Sequence, residues 1–278
     1  MIKQSEKSMV PKLKELWTEC FPKDKQCLID LFFEKRFSAK NTLIYLQDGD
    51  VAAALYLLPA HIVTKSSLED MLYVYAVGTF KQYRGRGFVT ELLEEARKTA
   101  SKRGVKYLTL APVGKYLFEF YGKRGYRTAF YADKLDMSRS EAEAASVPCK
   151  SRPISDDRIL FIRNRTFWYD GFVVWDKPSI THSRMFCELS KGGVVSTESS
   201  YAMYIVEHGI LKVLEFAGKK EDFGKICRLL LDRSGTDSFS FTFAHGFFKG
   251  KKNELAMLLD TGNGAYEAEN SYIGLTLE

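Results

Sequence analysis

The chain has 278 residues, enough for two domains of ordinary size, and 45% hydrophobic with 27% charged residues is the composition of a globular protein. Its 41 Lys and Arg against 35 Asp and Glu leave a net charge of +6, milder than that of a protein that wraps nucleic acid. Five scattered Cys without C-x-x-C spacing exclude a disulfide framework and a zinc knuckle, and four distant His outline no metal site. We therefore expect no metal and no nucleic acid.

The segment preceding Trp17 carries charges every few residues and has no apolar core, so we expect no signal peptide. The longest apolar run, residues 51–60, is too short to cross a bilayer. Unpaired cysteines suit a reducing compartment. A cytoplasmic protein without a membrane partner is the expectation, and a homo-oligomer is compatible with the sequence.

Helices and strands alternate in the first half. Leu13, Leu16, Trp17 and Cys20 follow helical spacing, and the Asp48-Gly49 pair between apolar runs is typical of a hairpin turn. In chain order we predict helices over 9–20 and 26–37, a hairpin over 42–59, a strand over 71–77, a helix over 88–103, a strand over 105–111, a short helix over 114–122 and a strand from Tyr126. This alternation predicts a mixed α/β fold.

The composition becomes small and polar over residues 136–157, which indicates a boundary. We predict a first domain at 1–138, a linker at 139–157 and a second domain at 158–278. The second half then gives a hairpin over 201–216 with His208-Gly209 in its turn, a helix over 221–232, a strand over 239–243 and a strand-like run over 272–277. Because hairpin, loop, helix and strand also follow one another over 42–111, we infer a degenerate structural repeat.

The most informative segment is the loop 82–87, Gln-Tyr-Arg-Gly-Arg-Gly, which joins a buried strand to the helix that starts at Phe88. A helix N-terminus presents unpaired N–H groups and favours an anion. Gly85 and Gly87 let the backbone approach a diphosphate, and Arg84 and Arg86 add positive charge. The alternative is a tight turn with two solvated arginines. The loop is neither a Walker nor a Rossmann motif.

This segment resembles the coenzyme A signature [Q/R]-x-x-G-x-[G/A] of the GNAT (GCN5-related N-acetyltransferase) superfamily. A second block supports the resemblance, with Leu110-Ala111-Pro112 followed by residues 116–126, which look like the family's "fYxkxGF" helix and strand. The resemblance covers about residues 8–135 and implies a GNAT acyltransferase fold, followed by a second, degenerate GNAT-like α/β module. The coenzyme-binding positions it implies are Ala76, Val77, Gly78, Gln82, Tyr83, Arg84, Gly85, Arg86 and Gly87.

In the second module the corresponding loop, residues 217–222, lacks the Q-x-x-G-x-G pattern, so we expect no coenzyme there. The resemblance implies direct transfer of an acetyl group from acetyl-CoA to an amine. A backbone N–H near Val77 would stabilise the oxyanion, and Tyr121 matches the tyrosine that protonates the leaving thiolate. The alternative for Tyr121 is an aromatic packing residue.

The sequence says less about which residues bind the amine acceptor or remove its proton. Glu34, Asp30 and Glu119 are candidate bases or else solvated helix charges, and Trp17, Phe32 and Phe33 could line an acceptor pocket or pack in the core. Of these residues, Glu34 and Phe33 are our candidates for contact with the acceptor. We add Glu278, because some two-module relatives bring a terminal carboxylate into the active site.

Three functions compete at this point. The first is an acetyl-CoA-dependent N-acetyltransferase, which the two blocks favour. The second is a catalytically idle GNAT module that senses acyl-CoA, and the third is a basic nucleic-acid-binding protein, which the mild charge disfavours. Small amines, polyamines, aminoglycosides and peptide amines all remain open as acceptors.

Overall fold

The structure is a computed structural model that describes residues 1–262, 266 and 271–276. The chain divides into two compact units, named here unit 1 (Met1–Ile62, Leu68–Ala129 and Ala256–Glu267) and unit 2 (Val63–Ser67, Phe130–Leu255 and Ala268–Glu278). Each unit combines helices with β-strands, so the predicted mixed α/β class is confirmed. Among the described residues, no helix has the length and apolar character needed to cross a membrane, and no group of three or more His, Cys, Asp or Glu could hold a metal ion.

The elements predicted for the first half are all present, with small differences at their ends. They are the helices α1 (Val10–Cys20), α2 (Gln26–Lys35), α3 (Phe88–Lys102) and α4 (Lys115–Gly122), and the strands β2 (Thr42–Gln47), β3 (Asp50–Val63), β4 (Leu68–Thr79), β5 (Tyr107–Leu110) and β6 (Arg127–Ser138). The structure adds strand β1 (Ile2–Gln4), which the sequence did not predict. The second half adds the helices α5 (Arg139–Ala145), α6 (Asp156–Phe167), α7 (Lys177–Leu189) and α8 (Phe223–Leu231), and the strands β7 (Val173–Val174), β8 (Gly193–Ser196), β9 (Tyr201–Glu207), β10 (Ile210–Ala217), β11 (Ser238–Ala244) and β12 (Lys251–Asp260).

In unit 1 the strands follow the order β1-β2-β3-β4-β5-β12. Strands β4 and β5 are parallel, as expected for strands joined by a helical crossover, and β5 pairs antiparallel with β12. Helix α3 packs its predicted apolar face into the core, where Leu92, Ala96 and Ala100 are fully buried. The core of unit 1 therefore fixes α3, and with it the loop that precedes the helix.

Both predicted hairpins are confirmed by their turns. Asp48 and Gly49 have φ values of 52° and 88°, and His208 and Gly209 have values of 50° and 77°. Two successive left-handed residues are typical of the type I′ turn, whose twist matches that of the flanking strands. Gly104, predicted as the stop of α3, has a left-handed φ of 72°.

In unit 2 the strands follow the order β6-β11-β10-β9-β8. Hairpin β9–β10 leads through α8 into β11, which pairs parallel with β10. In unit 1 the predicted hairpin, β2–β3, is followed by strand β4, helix α3 and strand β5, which pairs parallel with β4. Hairpin, helix and parallel strand therefore follow one another in both units, with one more strand, β4, after the hairpin of unit 1.

Each unit contains one strand from the other half of the sequence. Strand β6 pairs with β11 in unit 2, from Ala132 to Ser138, whereas residues 257–260 of β12 pair with β5 in unit 1. The compact units are therefore not the two continuous segments 1–138 and 158–278 that composition indicated. Whether those segments are separate domains stays a prediction.

The predicted linker, residues 139–157, contains helix α5. Its N-cap is Ser138, whose hydroxyl accepts from the Glu141 N–H while the Glu141 carboxylate accepts from the Ser138 N–H. This capping box has the sequence signature S-x-x-E, which the low hydrophobicity of the segment obscured.

A buried ion pair lies at the centre of unit 2. Arg163 donates through Nε to both carboxylate oxygens of Glu215, at 3.1 and 3.2 Å, and both side chains are 0% exposed. The hydroxyls of Tyr201 and Tyr272 donate to the same carboxylate. Because every charge has a partner, the burial of this pair is tolerated.

The strand predicted over 272–277 is wrong for its described part. Tyr272 forms a single bridge with Phe172, and residues 273–276 have no regular secondary structure. The Ile273 carbonyl accepts from the Arg163 Nη2 at 2.7 Å and from the Trp175 Nε1 at 3.0 Å. Side-chain donors therefore take the place of a strand partner, and residues 277–278 lie outside the described part.

Candidate functional site

The loop 82–87 forms a glycine-rich turn at the start of α3. Gly85 and Gly87 have φ values of 79° and 85°, which an L side chain rarely adopts. A Cβ at either position would have open space around it, so conformation and not crowding requires glycine here. The structure thus gives these glycines the backbone geometry that the sequence predicted for them.

The N-terminus of α3 has no side-chain cap in the described part of the chain. Gly87 is its N-cap residue, and the first helical hydrogen bond runs from the Thr90 N–H to the Gly87 carbonyl at 2.9 Å. The N–H groups of Phe88 and Val89 precede this bond and have no helical acceptor. Such groups, together with the helix dipole, can bind a phosphate.

The remaining loop residues surround this turn. Gln82 is exposed, and the Tyr83 ring lies 6.5 Å from that of Phe88. The Arg86 guanidinium lies over the Tyr83 ring, 5.5 Å from its centroid. The Arg84 side chain turns toward the strand, where its Nε donates to the Thr79 carbonyl at 3.1 Å. The two arginines that the sequence grouped together therefore have different surroundings.

Strand β4 is irregular where it approaches the loop. It pairs with β5 over Met71–Tyr73, although β4 continues to Thr79. Ala76 has a left-handed φ of 45°, which departs from extended strand backbone at the residue before Val77. Gly78, the next predicted residue, is buried against Cys20.

Tyr121 lies on α4 and is 7% exposed. Its ring is edge-on to those of Phe120, at 5.2 Å, and Tyr126, at 5.8 Å. The Tyr126 hydroxyl is buried with no hydrogen-bond partner among the described residues, and burial raises the pKa of this phenol well above its ordinary value. Burying a hydroxyl without a hydrogen-bond partner costs stability. The core beside Tyr121 therefore contains one polar group whose hydrogen-bonding capacity the described residues leave unused.

Helices α1 and α2 cover an aromatic cluster, defined by Trp17, Phe32, Phe33, Tyr56 and Tyr75. The predicted residue Phe33 is 9% exposed and belongs to this cluster. The sequence prediction did not include Tyr56 and Tyr75. The alternation Tyr73-Val74-Tyr75 in β4 places two rings on one face and could have indicated Tyr75, whereas Tyr56 lies in the apolar run of β3 and has no such signal.

The candidate acidic residues have local partners. Glu34 is exposed and pairs with Lys35 at 2.6 Å. Asp30 pairs with Lys14 at 2.6 Å, and this contact lowers the pKa of the Asp30 carboxyl. Glu119 is exposed on α4. Glu278 lies outside the described residues. The acceptor-side assignments therefore stay predictions.

The corresponding helix start in unit 2 carries a carboxylate of its own. Asp222 is the N-cap residue of α8 and is 4% exposed. Burial alone would raise the pKa of this carboxyl, but hydrogen bonds from the Lys225 ammonium and the hydroxyls of Ser199, Ser200 and Thr197 hold it far below its usual value. A negative charge is thus built into this position.

Comparisons with known proteins agree with this architecture. Residues 1–129 match a family model described as an acetyltransferase (GNAT) domain. No curated protein sequence matches the chain significantly. Among solved structures, a probable N-acyltransferase from Enterococcus faecalis superposes with a TM-score of 0.74 at 15% identity, over 94% of this chain and 72% of that one.

Two further structures extend the comparison. A GCN5-related N-acetyltransferase from Anabaena variabilis has a TM-score of 0.74 at 14% identity, over 94% of this chain and 72% of the other. A putative acetyltransferase from Pyrococcus horikoshii has a TM-score of 0.61 at 11% identity, over 99% and 95% of the two chains. At such identities the likeness shows the fold, and it includes the second half of the chain.

Proposed function

We propose that this protein transfers an acetyl group from acetyl-CoA to a primary amine, because residues 1–129 match the model of a GNAT acetyltransferase domain. The observation that carries the proposal is the turn at Gly85 and Gly87, which opens into an uncapped helix N-terminus. These residues suit a diphosphate. The space that a Cβ would occupy at Gly85 and Gly87 is open, and Arg86 adds a positive charge beside it.

In this proposal the loop binds the phosphates and strand β4 binds the acyl end. The N–H groups of Phe88 and Val89, with the backbone of Gly85 and Gly87, are the phosphate donors. The Val77 N–H, which follows the left-handed Ala76, donates to the thioester oxygen in this proposal and stabilises the oxyanion that forms on attack. Gly78, Gln82 and Tyr83 complete the binding segment.

The chemical step is a direct displacement. The lone pair of a neutral amine attacks the thioester carbon, the C–S bond breaks, and the Tyr121 hydroxyl gives its proton to the departing thiolate. The amine's surplus proton passes to a base or to water. Phe33 and Glu34 are proposed to contact the acceptor, and Glu278 to accept the amine's proton.

The experiment is a turnover screen that measures free thiol release from acetyl-CoA across a panel of amines, including polyamines, aminoglycosides and peptides. We expect at least one amine to raise thiol release above hydrolysis, with an acetylated product of matching mass. Binding of CoA with no transfer to any amine would contradict catalysis and support an acyl-CoA sensor instead.

A further inference from the structure

The guanidinium of Arg84 lies against the last turn of helix α1 and the end of strand β4. Its Nε donates to the Thr79 carbonyl at 3.1 Å, and its Nη2 lies 4.0 Å from the Cys20 sulfur. Both contacts hold the guanidinium on the strand side of the loop. An arginine whose role is only to bind phosphate does not require a hydrogen bond to a backbone carbonyl, so the bond to Thr79 indicates a structural role for Arg84.

Helix α1 makes further contacts with the same short segment. The Cys20 Sγ donates to the Thr79 carbonyl at 3.4 Å, and burial raises the pKa of this thiol, which keeps it protonated. A Cβ on Gly78 would lie 3.0 Å from that sulfur, so glycine permits the close approach. The Glu19 carboxylate accepts from the Lys81 N–H. The end of α1 thus contacts residues 78, 79 and 81 in succession.

Arg86, two residues further along, has a different environment. Its guanidinium lies over the Tyr83 ring of the loop itself, 5.5 Å from the ring centroid, and Arg86 is exposed, as Arg84 is. A planar guanidinium that rests on an aromatic ring keeps its edge N–H groups directed outward. The two arginines therefore differ in what they are fixed to, although they are equivalent in the sequence.

We propose that Arg84 is a positioning residue that locks the end of β4 and the start of the loop onto helix α1, while Arg86 supplies the loop's charge to phosphate. The lock sets the direction in which the Gly85–Gly87 turn presents its N–H groups. That the bound phosphate belongs to CoA rests on the proposed function. The structural role of Arg84 in holding the loop against helix α1 does not depend on that function.

The test compares Arg84→Gln and Arg84→Lys with the matched control Arg86→Gln. Three quantities are measured: the melting temperature of the free protein, amide hydrogen exchange over 79–89, and CoA affinity at low and high NaCl concentration. We expect both Arg84 variants to melt several degrees lower and to exchange faster over 79–89 alone. Their CoA affinity should fall about tenfold at both salt concentrations, as for the loss of a hydrogen bond from a charged group.

For Arg86→Gln we expect parental melting and exchange, but weaker CoA binding that depends less on salt, because this variant removes the charge that the proposal assigns to phosphate and salt screens that attraction. Lysine retains charge but not the planar fork. An Arg84→Lys variant with parental melting and CoA affinity would overturn the proposal, as would a flattened salt dependence in Arg84→Gln. If the parent protein fails to bind CoA, the proposed function is wrong, yet melting and exchange still decide whether Arg84 locks the loop.

Discussion

At the scale of single residues, the hydroxyl of Tyr121 separates catalysis from packing. Tyr121→Phe keeps the ring that contacts Phe120 and Tyr126 and removes only the proposed acid. A phenol with a reference pKa of about 10 holds its proton at neutral pH and can donate it. We expect kcat for thiol release to fall roughly 10²–10⁴-fold, the usual range for general acid catalysis.

The control for this substitution is Tyr126→Phe, which removes the buried hydroxyl of the neighbouring ring in the core of unit 1 and should leave kcat near the parental value. CoA affinity and melting temperature should stay near parental values in Tyr121→Phe. A stable Tyr121→Phe protein whose kcat lies within a few-fold of the parent would make Tyr121 a packing residue, and the proton would then come from elsewhere.

Gly85 and Gly104 offer a matched pair at opposite ends of α3. Both have left-handed φ values, 79° and 72°, and neither has an atom near the position of a Cβ. Alanine at either site should therefore cost about 1 kcal/mol of stability through backbone strain. We expect only Gly85→Ala to weaken CoA binding, measured by calorimetry, because only Gly85 belongs to the phosphate turn. Equal affinity in both variants would contradict the binding role of the loop.

At the scale of elements, the Arg163–Glu215 pair joins helix α6 to strand β10. Arg163→Met removes the positive charge and leaves a fully buried carboxylate unpaired, which should lower the free energy of unfolding by roughly 3–5 kcal/mol. The control is Arg228→Ala, which breaks the exposed Arg228–Asp232 pair on α8 and should cost less than about 1 kcal/mol.

Denaturant unfolding followed by circular dichroism measures both changes. The double variant Arg163→Met/Glu215→Leu removes both charges and should recover part of the loss, because no charge is left unpaired. Equal midpoints for Arg163→Met and Arg228→Ala would show that the buried pair contributes no more than a surface one.

Asp222 makes the stability of unit 2 depend on pH. Its folded-state pKa lies below the unfolded value, so its contribution is complete above about pH 4 and is lost as the pH falls through the lowered folded value. Asp222→Asn should cost roughly 2 kcal/mol at pH 7, since several charge-assisted hydrogen bonds are lost. We expect the difference from the parent, measured by denaturant midpoints, to narrow below pH 4; a constant difference would exclude the carboxylate as its source.

Elements with regular patterns could be predicted from the sequence, because each pattern has one local cause. Alternation, helical spacing and the Asp48-Gly49 and His208-Gly209 turns each act within a few residues. The run over 272–277 was apolar in the same way, yet its carbonyls bind Arg163 and Trp175, which lie about 100 residues away in sequence. A pattern within a few residues cannot predict hydrogen bonds to side chains so distant in sequence.

The site shows the same division. Gly85 and Gly87 were predictable because their backbone need is local. The different surroundings of Arg84 and Arg86 were not, since the contact with Cys20 joins positions 64 residues apart. The left-handed φ of Ala76 was also hidden, because alanine carries no signal for it.

At the scale of the whole molecule, we expect unit 1 to bind CoA and unit 2 not to bind it. Neither helix start has a side-chain cap, but in unit 1 the glycine turn precedes α3, whereas in unit 2 the buried Asp222 carboxylate stands at the start of α8. Because that carboxylate would repel a diphosphate, we expect one CoA per chain in calorimetric titration. Two sites of comparable affinity would contradict this prediction, as would retention of binding when Gly85 and Gly87 are both replaced by valine.

The exchange of strands between the two halves also affects how the chain is made. The core of unit 1 includes Met257 and Leu259 of β12, which pair with β5. During synthesis, residues near the N-terminus leave the ribosome first, but the sheet that they begin cannot be completed until residues 256–260 have emerged. Until then the edge of β5 that pairs with β12 has no partner, and a partly made chain exposes unpaired backbone groups with which another strand can pair.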